Sequence, residues 1–488
     1  MMMSKQSSTS SPAPLRRNLQ LCTTDGVLAT PFVLMMLPGN IFLANFFSGV
    51  LGLRETLFGI IVSLPAWANA LQAFVMPWLS HRWGTRALTV IPGFLAAFIW
   101  CGFALSLSWL PIENVRATSQ FVFFIFLGLS VAQAINGVSW TAWIQDWIPP
   151  RPRARYFGRR NQVVGFVTVG FTAVGGFLLN RMEASLLGYQ ILFGSAGILR
   201  LFSMFVVTRI TPEVPVTGRP EPRWKRPKAR TAGGGLWAER GFLRFVVFAS
   251  LLTFGLNFAG PFNPIYMANH LEFPVFKQAI LVVLANFMGA FAAPWWARLI
   301  DRYGHKNILT ISALGWMLSN YNWVWISSET NWVLYLVWLC GGIFSAGVVL
   351  SSFNLLLRLT PAHIKTTAIS THLAATSVLG AIAPIAAGTF LQQLTASGMA
   401  EQTVFRLIFF LHPTFVILSL LLLRQVPEPE AASVPNIFGA FRSVRQAFIQ
   451  SGTVFVANVN MARPLLYLRR RHEHRRRRKL ARERRRSR

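Results

Sequence analysis

The chain has 488 residues, 53% of them hydrophobic and only 13% charged, with a mean hydropathy of +0.45. Its net charge is nonetheless +31, from 47 Lys and Arg against 16 Asp and Glu. A soluble nucleic-acid binder is charged throughout, so a greasy chain with its charge set apart excludes that class and points to a membrane protein. Three cysteines, Cys22, Cys101 and Cys340, are too few for a disulfide framework and read as packed thiols.

A bilayer core takes about 20 apolar residues of helix, and twelve such stretches follow one another. After a polar, Ser-rich start come spans 25–49, 57–79, 87–109, 120–144, 161–180 and 188–208. The first is too long and too late for a cleaved signal peptide and is expected to be retained. A segment rich in Pro, Gly and basic residues follows, and then spans 243–268, 275–297, 308–327, 332–357, 372–394 and 403–423. The expected organisation is thus a short segment 1–22, a six-helix half 23–209, a basic linker 210–240, a second half 241–424 and a polybasic tail 425–488. In the tail, Phe438, Phe441, Val444 and Phe448, with Arg442 and Arg445 interleaved, have the spacing of a helix lying on a membrane surface, a disordered tail being the alternative.

Charge orients the chain, because cytoplasmic loops carry the Lys and Arg excess. With the N-terminus inside, and the tail set aside, 24 basic residues fall on the inner side and 4 in outer loops: Arg54, Arg116, Arg181 and Lys277. Both termini are therefore expected in the cytoplasm. Each outer loop carries one Glu, and no Asp or Glu lies at the centre of a span. The tail, with 16 basic and 4 acidic side chains, is expected to meet anionic inner-leaflet lipids at about 1 kcal/mol per nearby cation, so nucleic acid is not expected as the main partner.

The halves repeat. Leu79-Ser80-His81-Arg82-Trp83-Gly84-Thr85-Arg86 after span 2 is echoed by Leu299-Ile300-Asp301-Arg302-Tyr303-Gly304-His305-Lys306 after span 8. Pro149 before Arg151, Arg153 and Arg155 is echoed by Pro361 before Lys365, and Thr211-Pro212-Glu213 by Val426-Pro427-Glu428. A duplicated six-helix unit is how many transporters build two related access states.

On these residues the chain resembles the major facilitator superfamily, whose loop signature runs G-x-L-A-D-R-x-G-R-K. Leu299, Asp301, Arg302, Gly304 and Lys306 fit it; Leu79, Arg82, Gly84 and Arg86 fit the first copy, where Pro77 and His81 replace the Gly and the Asp. The resemblance implies an all-α polytopic fold of twelve transmembrane helices in two six-helix repeats, moving a small solute by alternating access, as a monomer in the plasma membrane. It also implies that Asp301 and Arg302 latch the cytoplasmic side against the 151–160 segment. A non-transporting sensor or scaffold on the same fold is the alternative.

The family's cavity is lined by spans 1, 2, 4, 5, 7, 8, 10 and 11, so polar mid-span residues there are the candidate solute contacts: Asn40, Asn45, Gln72, Gln133, Asn136, Trp140, Asn257, Asn263, Tyr266, Asn286 and Asn354. Gln133, Asn136 and Trp140 share one helix face. Arg200, inside span 6, is costly in lipid unless partnered; it either turns toward a neighbour or binds an anion. Proton-driven members use an embedded carboxylate, for which Asp25 and His372 are the available substitutes, Asp25 reading otherwise as a first-turn acid. Span 5 lacks the G-P-x-x-G-G of drug exporters. No catalytic signature of the H-E-x-x-H, G-x-S-x-G or P-loop type occurs, so no enzyme, metal or cofactor is expected.

Overall fold

A backbone in lipid must satisfy its N–H and C=O groups within each segment, and every regular element among the described residues is a helix. The computed structural model describes residues 12–111, 114–148, 150–211, 236, 239–361 and 364–427. The 212–235 stretch of the basic linker and the 428–488 tail, with its expected surface helix, lie outside them. The first half comprises α1 (Pro12–Met35), α2 (Ile41–Asn45) and a π turn (Phe46–Val50), then α3 (Glu55–Ser106), α4 (Val115–Trp147), α5 (Pro150–Arg181) and α6 (Leu186–Thr208). The second comprises α7 (Arg240–Ala259), a 3-10 turn (Gly260–Phe262), α8 (Asn263–His270), α9 (Val275–Tyr303), α10 (His305–Asn320), α11 (Val333–Leu359), α12 (Lys365–Ala396) and α13 (Glu401–Leu423).

Among the described residues nine helices are long and apolar enough to cross a bilayer. The longest, α3, has 52 residues, about 78 Å at 1.5 Å per residue, more than twice a hydrocarbon core. It contains both the second and third expected spans. The reversal falls at Gly84 (φ 74°, ψ 154°), and its repeat equivalent Gly304 has nearly the same backbone (φ 83°, ψ 163°) between α9 and α10. Both loops need the glycine's freedom at positive φ. The first span departs from expectation at its start: α1 is already helical at Pro12, so Asp25 lies well inside the helix and is no first-turn acid.

Each half is a bundle. In the first, α3 packs on α4 and α6, and α1 on α5 and α6; in the second, α9 packs on α11, α7 on α12 and α13, and α10 on α11. The halves meet through α3 against α12 and α5 against α9. Their shared apolar core lies toward the end that carries the short loops 51–54, 182–185 and 271–274, the expected outer end. Phe46, Phe58, Phe126, Phe262, Tyr266 and Phe409 belong to it. Toward the opposite end the cores are separate, with Trp143, Trp147 and Ile148 in one half and Leu309, Leu355 and Leu420 in the other.

Candidate functional site

Spans 1 and 7 are both interrupted, and at equivalent places. Pro38-Gly39-Asn40 and Pro261-Phe262-Asn263 put Pro and Asn at the same register, 223 residues apart. Proline removes a backbone donor and clashes with the preceding turn, so each helix breaks there. Gly39 (φ 74°) lies against the other break: a Cβ on it would come 3.1 Å from the Gly260 carbonyl oxygen. Interrupted helices paired across a pseudo-two-fold axis are where transporters of this general design place their binding sites.

The two asparagines behave differently. Asn40 is a helix cap, its Oδ1 accepting from Phe42 N (3.0 Å) and Leu43 N (3.1 Å) while Nδ2 donates to Leu34 O (3.0 Å). Asn263 opens α8, and its Oδ1 is buried with no hydrogen-bond partner. It lines a cavity of about 600 Å³ enclosed by α7, α9, α10, α11 and α13. Trp316, Trp323 and Trp338 supply indole walls, and Asn286, Asn320, Ser345 and His412 the other polar side chains. The floor is tight because α9 and α11 touch by backbone: a Cβ on Gly342 would overlap the Ala285 carbonyl.

In the first half the corresponding interior is filled by a polar network. The Asp25 carboxylate, 2% exposed, accepts from Ser203 Oγ (2.7 Å) and Trp140 Nε1 (3.1 Å). Arg200, 3% exposed, donates through Nη2 to Asn136 Oδ1 (2.7 Å) and through Nη1 to Ser203 Oγ (3.4 Å), and its guanidinium lies 5.5 Å from the Phe32 ring centre. Asn136 in turn donates to Thr89 O (2.6 Å). Arg160 closes one side, 4.7 Å over the Trp140 ring, with Nε donating to Cys22 O (3.2 Å). The Gln133 face is thus turned into the bundle rather than into open space, with Gln133 Oε1 buried and unpartnered.

The remaining candidates scatter. Tyr266 is fully buried against Phe405 and Phe409, its hydroxyl donating to Ile326 O (3.3 Å). Gln72 Nε2 donates to Asn69 Oδ1 (3.1 Å) and Asn257 Nδ2 to Thr253 O (2.9 Å) on their own helices. Asn354 lies far down α11, lining a second cavity with Asp301, His305 and Arg358. The His372 ring stacks on Phe245 at 5.6 Å.

Loop-motif cations act inside their own halves. Arg86 Nη2 donates to Thr208 O (3.2 Å) at the end of α6, and Lys306 Nζ to Arg424 O (2.8 Å) and Val426 O (2.9 Å) past the end of α13. Both satisfy orphan carbonyls at the negative end of a helix. Lys306→Met should therefore lower stability by about 1–3 kcal/mol, read as a fall in the midpoint of denaturation, and Arg86→Met by less. Asp301 and Arg302 are exposed, and among the described residues no ion pair joins either to Arg159 or Arg160; the side chains of 151–155 lie outside the description.

Sequence reasoning missed Gln278, which is fully buried between the halves. Its Oε1 accepts from Asn45 Nδ2 (2.8 Å), and its Nε2 donates to Phe273 O (3.0 Å), Asn45 Oδ1 (3.3 Å) and Pro264 O (3.3 Å). It also missed the indole walls and His412: Trp316, Trp323 and His412 lie on spans 9 and 12, outside the expected lining, and Trp338 lies on span 10, within it. The paired Pro-and-Asn interruptions were the signal that leads to both.

Two helical repeats, closed on each other at one end and built around interrupted helices, define a polytopic membrane bundle of the transporter type. The sequence profile of the major facilitator superfamily matches residues 28–260 and 245–472, and the chain belongs to that family. A solved D-xylose-proton symporter is similar over 86% of this chain and 100% of its own, with a TM-score of 0.64 and 16% identity. A point mutant of the nucleoside transporter NupG is similar over 84% and 100% (TM-score 0.62, 14% identity). A bacterial homologue of the human lysosomal transporter Spinster, inward-facing and unoccupied, is similar over 85% and 96% (TM-score 0.60, 14% identity). Comparison with curated protein sequences gives no match.

Proposed function

We propose that this protein carries a small solute across a membrane by alternating access, its halves rocking about the paired helix interruptions. The observation that carries the reading is the one-ended closure. At the expected outer end the halves are joined by Asn45 with Gln278 (2.8 Å), by Thr56 Oγ1 donating to Gly388 O (3.2 Å), by the Phe58 and Phe262 rings (5.3 Å) and by the Gly39 and Gly260 backbones. Polar links at the other end include several that run within a half: Arg244 to Gln425 O (3.1 Å), Lys306 to Arg424 O, and the Asp25 network. Such an arrangement is that of an access state closed on one face. Twelve membrane crossings follow when α3 counts twice and α1 with α2, and α10 with its 3-10 extension, each count once.

The finer parts of the reading follow the charge pattern. Both termini are proposed to face the cytoplasm, with anionic lipid as the partner of the basic tail sequence and the plasma membrane as the expected site. The Asp301 and Arg302 motif is proposed to latch the inner face in the opposite state, the one in which these side chains find partners. For coupling, Asp25 is the candidate over His372, because a carboxylate sharing Ser203 with Arg200 can exchange a proton while its surroundings rearrange. Arg200 is proposed as the internal counter-charge and not as a solute anchor.

Closure is tested by a disulfide. Asn45→Cys with Gln278→Cys places two thiols where an amide pair now bonds. Oxidation of the double variant in proteoliposomes should cross-link it and abolish flux, and reduction should restore it. Full flux in quantitatively cross-linked protein would sink the rocking motion.

A further inference from the structure

The chemistry of the cavity among α7, α9, α10, α11 and α13 names what can fill it. We propose that this cavity takes a neutral, flat heteroaromatic solute that carries both N–H or amino donors and ring-nitrogen acceptors, of the kind found in aminopurines and aminopyrimidines. The proposal deepens the transport reading, on which it rests for the cavity's role in flux but not for its affinity.

Charge is the first restriction. None of the described residues lining the cavity is Asp, Glu, Lys or Arg. A charged solute would leave water for a site with no counter-ion among those residues, and burying an unpaired charge is strongly disfavoured. His412 does not supply one readily: its Nδ1 is 2.7 Å from the Gly255 carbonyl, which can only accept, so Nδ1 carries the proton and a neutral ring leaves Nε2 as an acceptor.

Shape is the second. Trp316, Trp323 and Trp338 line one cavity, and indole faces favour planar π systems in stacked or edge contacts. A volume of about 600 Å³ lies within the range of about 300–1,000 Å³ usual for small-ligand sites and admits a bicyclic ring with some water.

Hydrogen-bond polarity is the third. Asn286 Nδ2 is committed to Val282 O (2.8 Å) and Asn320 Nδ2 to Trp316 O (3.0 Å), each on its own helix. Their Oδ1 atoms accept from nothing among the described residues, and Asn263 Oδ1 is likewise orphaned. By the same measure Trp316 Nε1, Trp323 Nε1 and Trp338 Nε1 donate to nothing among the described residues. The lining thus offers unused acceptors and unused indole donors together, and suits a flat ring that brings both. A carbohydrate can meet those groups but has no flat π face for the indoles. A hydrocarbon ring would leave Asn263 Oδ1 as unsatisfied as it is without a solute and gain nothing from it.

The test is binding to the purified full-length protein in nanodiscs, by scintillation proximity with radiolabelled adenine. Competitors are cytosine, caffeine (flat, but without an N–H), benzoate (flat, but anionic) and D-xylose (neutral, but not aromatic). Saturable adenine binding is expected, displaced by cytosine and at least tenfold less effectively by the other three. Asn263→Leu and Trp338→Phe should each weaken adenine at least fivefold while leaving the melting temperature of the unliganded protein within a few degrees. Two variants are used so that a folding defect in one does not decide the outcome. Absence of saturable adenine binding overturns the proposal, as does equal displacement by caffeine or xylose, or unchanged affinity in both variants. Flux separates the two readings: adenine binding without adenine uptake in proteoliposomes leaves the site standing and removes the transport role. Uptake of xylose or benzoate, unaltered by both substitutions, does the reverse.

Discussion

Asp25→Ala should destabilise the purified protein by about 3–5 kcal/mol, the cost of leaving a buried charge without its partner. Arg200 is 3% exposed and reaches the Asp25 carboxylate through Ser203, which donates to Asp25 and accepts from Arg200. Without the carboxylate, the guanidinium keeps only Asn136 and Ser203, both neutral, and a ring contact with Phe32. Arg200→Met alone should cost a similar amount by stranding the carboxylate. The double variant Asp25→Ala/Arg200→Met should recover most of the loss, because neither member of the fully buried pair is then left without the other. Chemical-denaturation midpoints in detergent measure all three. Additive losses in the double variant would show that the two residues do not form one unit. The conservative Asp25→Asn keeps the shape and removes the titrating group, so it should flatten the dependence of flux on pH if the carboxylate couples transport to protons.

The second large effect concerns glycines between the halves. A Cβ on Gly59 would overlap the Pro384 carbonyl, and one on Gly388 would press on the Glu55 carbonyl, so at these two positions α3 and α12 approach backbone to backbone at the closed end. Small residues at such positions let helices touch where lipid offers no hydrophobic drive. Gly59→Leu should wedge this contact apart, at about 1–3 kcal/mol for overpacking, which is roughly a 5- to 150-fold shift in population away from this closed state. The readout is alkylation of a single cysteine at Asn45, slow in the parent and accelerated by a comparable factor in the Gly59→Leu background. Equal alkylation rates would mean that the α3 and α12 contact does not hold the end shut.

Apolar runs of bilayer length and the positive-inside asymmetry made the helical repeat legible in the sequence, because both are read by counting. The loop motif located Gly84 and Gly304 correctly because a reversal of the chain there demands positive φ. Polar mid-span residues were a weaker guide, since in lipid an amide serves another helix as readily as a solute. Asn136 serves Arg200, Asn40 caps its own helix, and Tyr266 is sealed among aromatic rings. Burial could not be inferred from the residues themselves, and neither could Gln278, an ordinary Gln near the start of α9 until the partner half supplies Asn45. Asp25 was misplaced for a simpler reason: the polar, basic start of α1 carries no hydrophobic signal, so the helix was expected to begin thirteen residues too late.

Asn40 and Asn263 occupy equivalent positions in the two repeats, yet the first is taken up in closing its own broken helix and the second lines an aromatic cavity with its carbonyl unused. The repeat thus keeps the joint in both halves and uses it differently in each. Every described residue lining the cavity lies between Leu256 and His412, so on the proposed cycle recognition is one-sided, and a bound solute would travel with the second half while the first half moves past it.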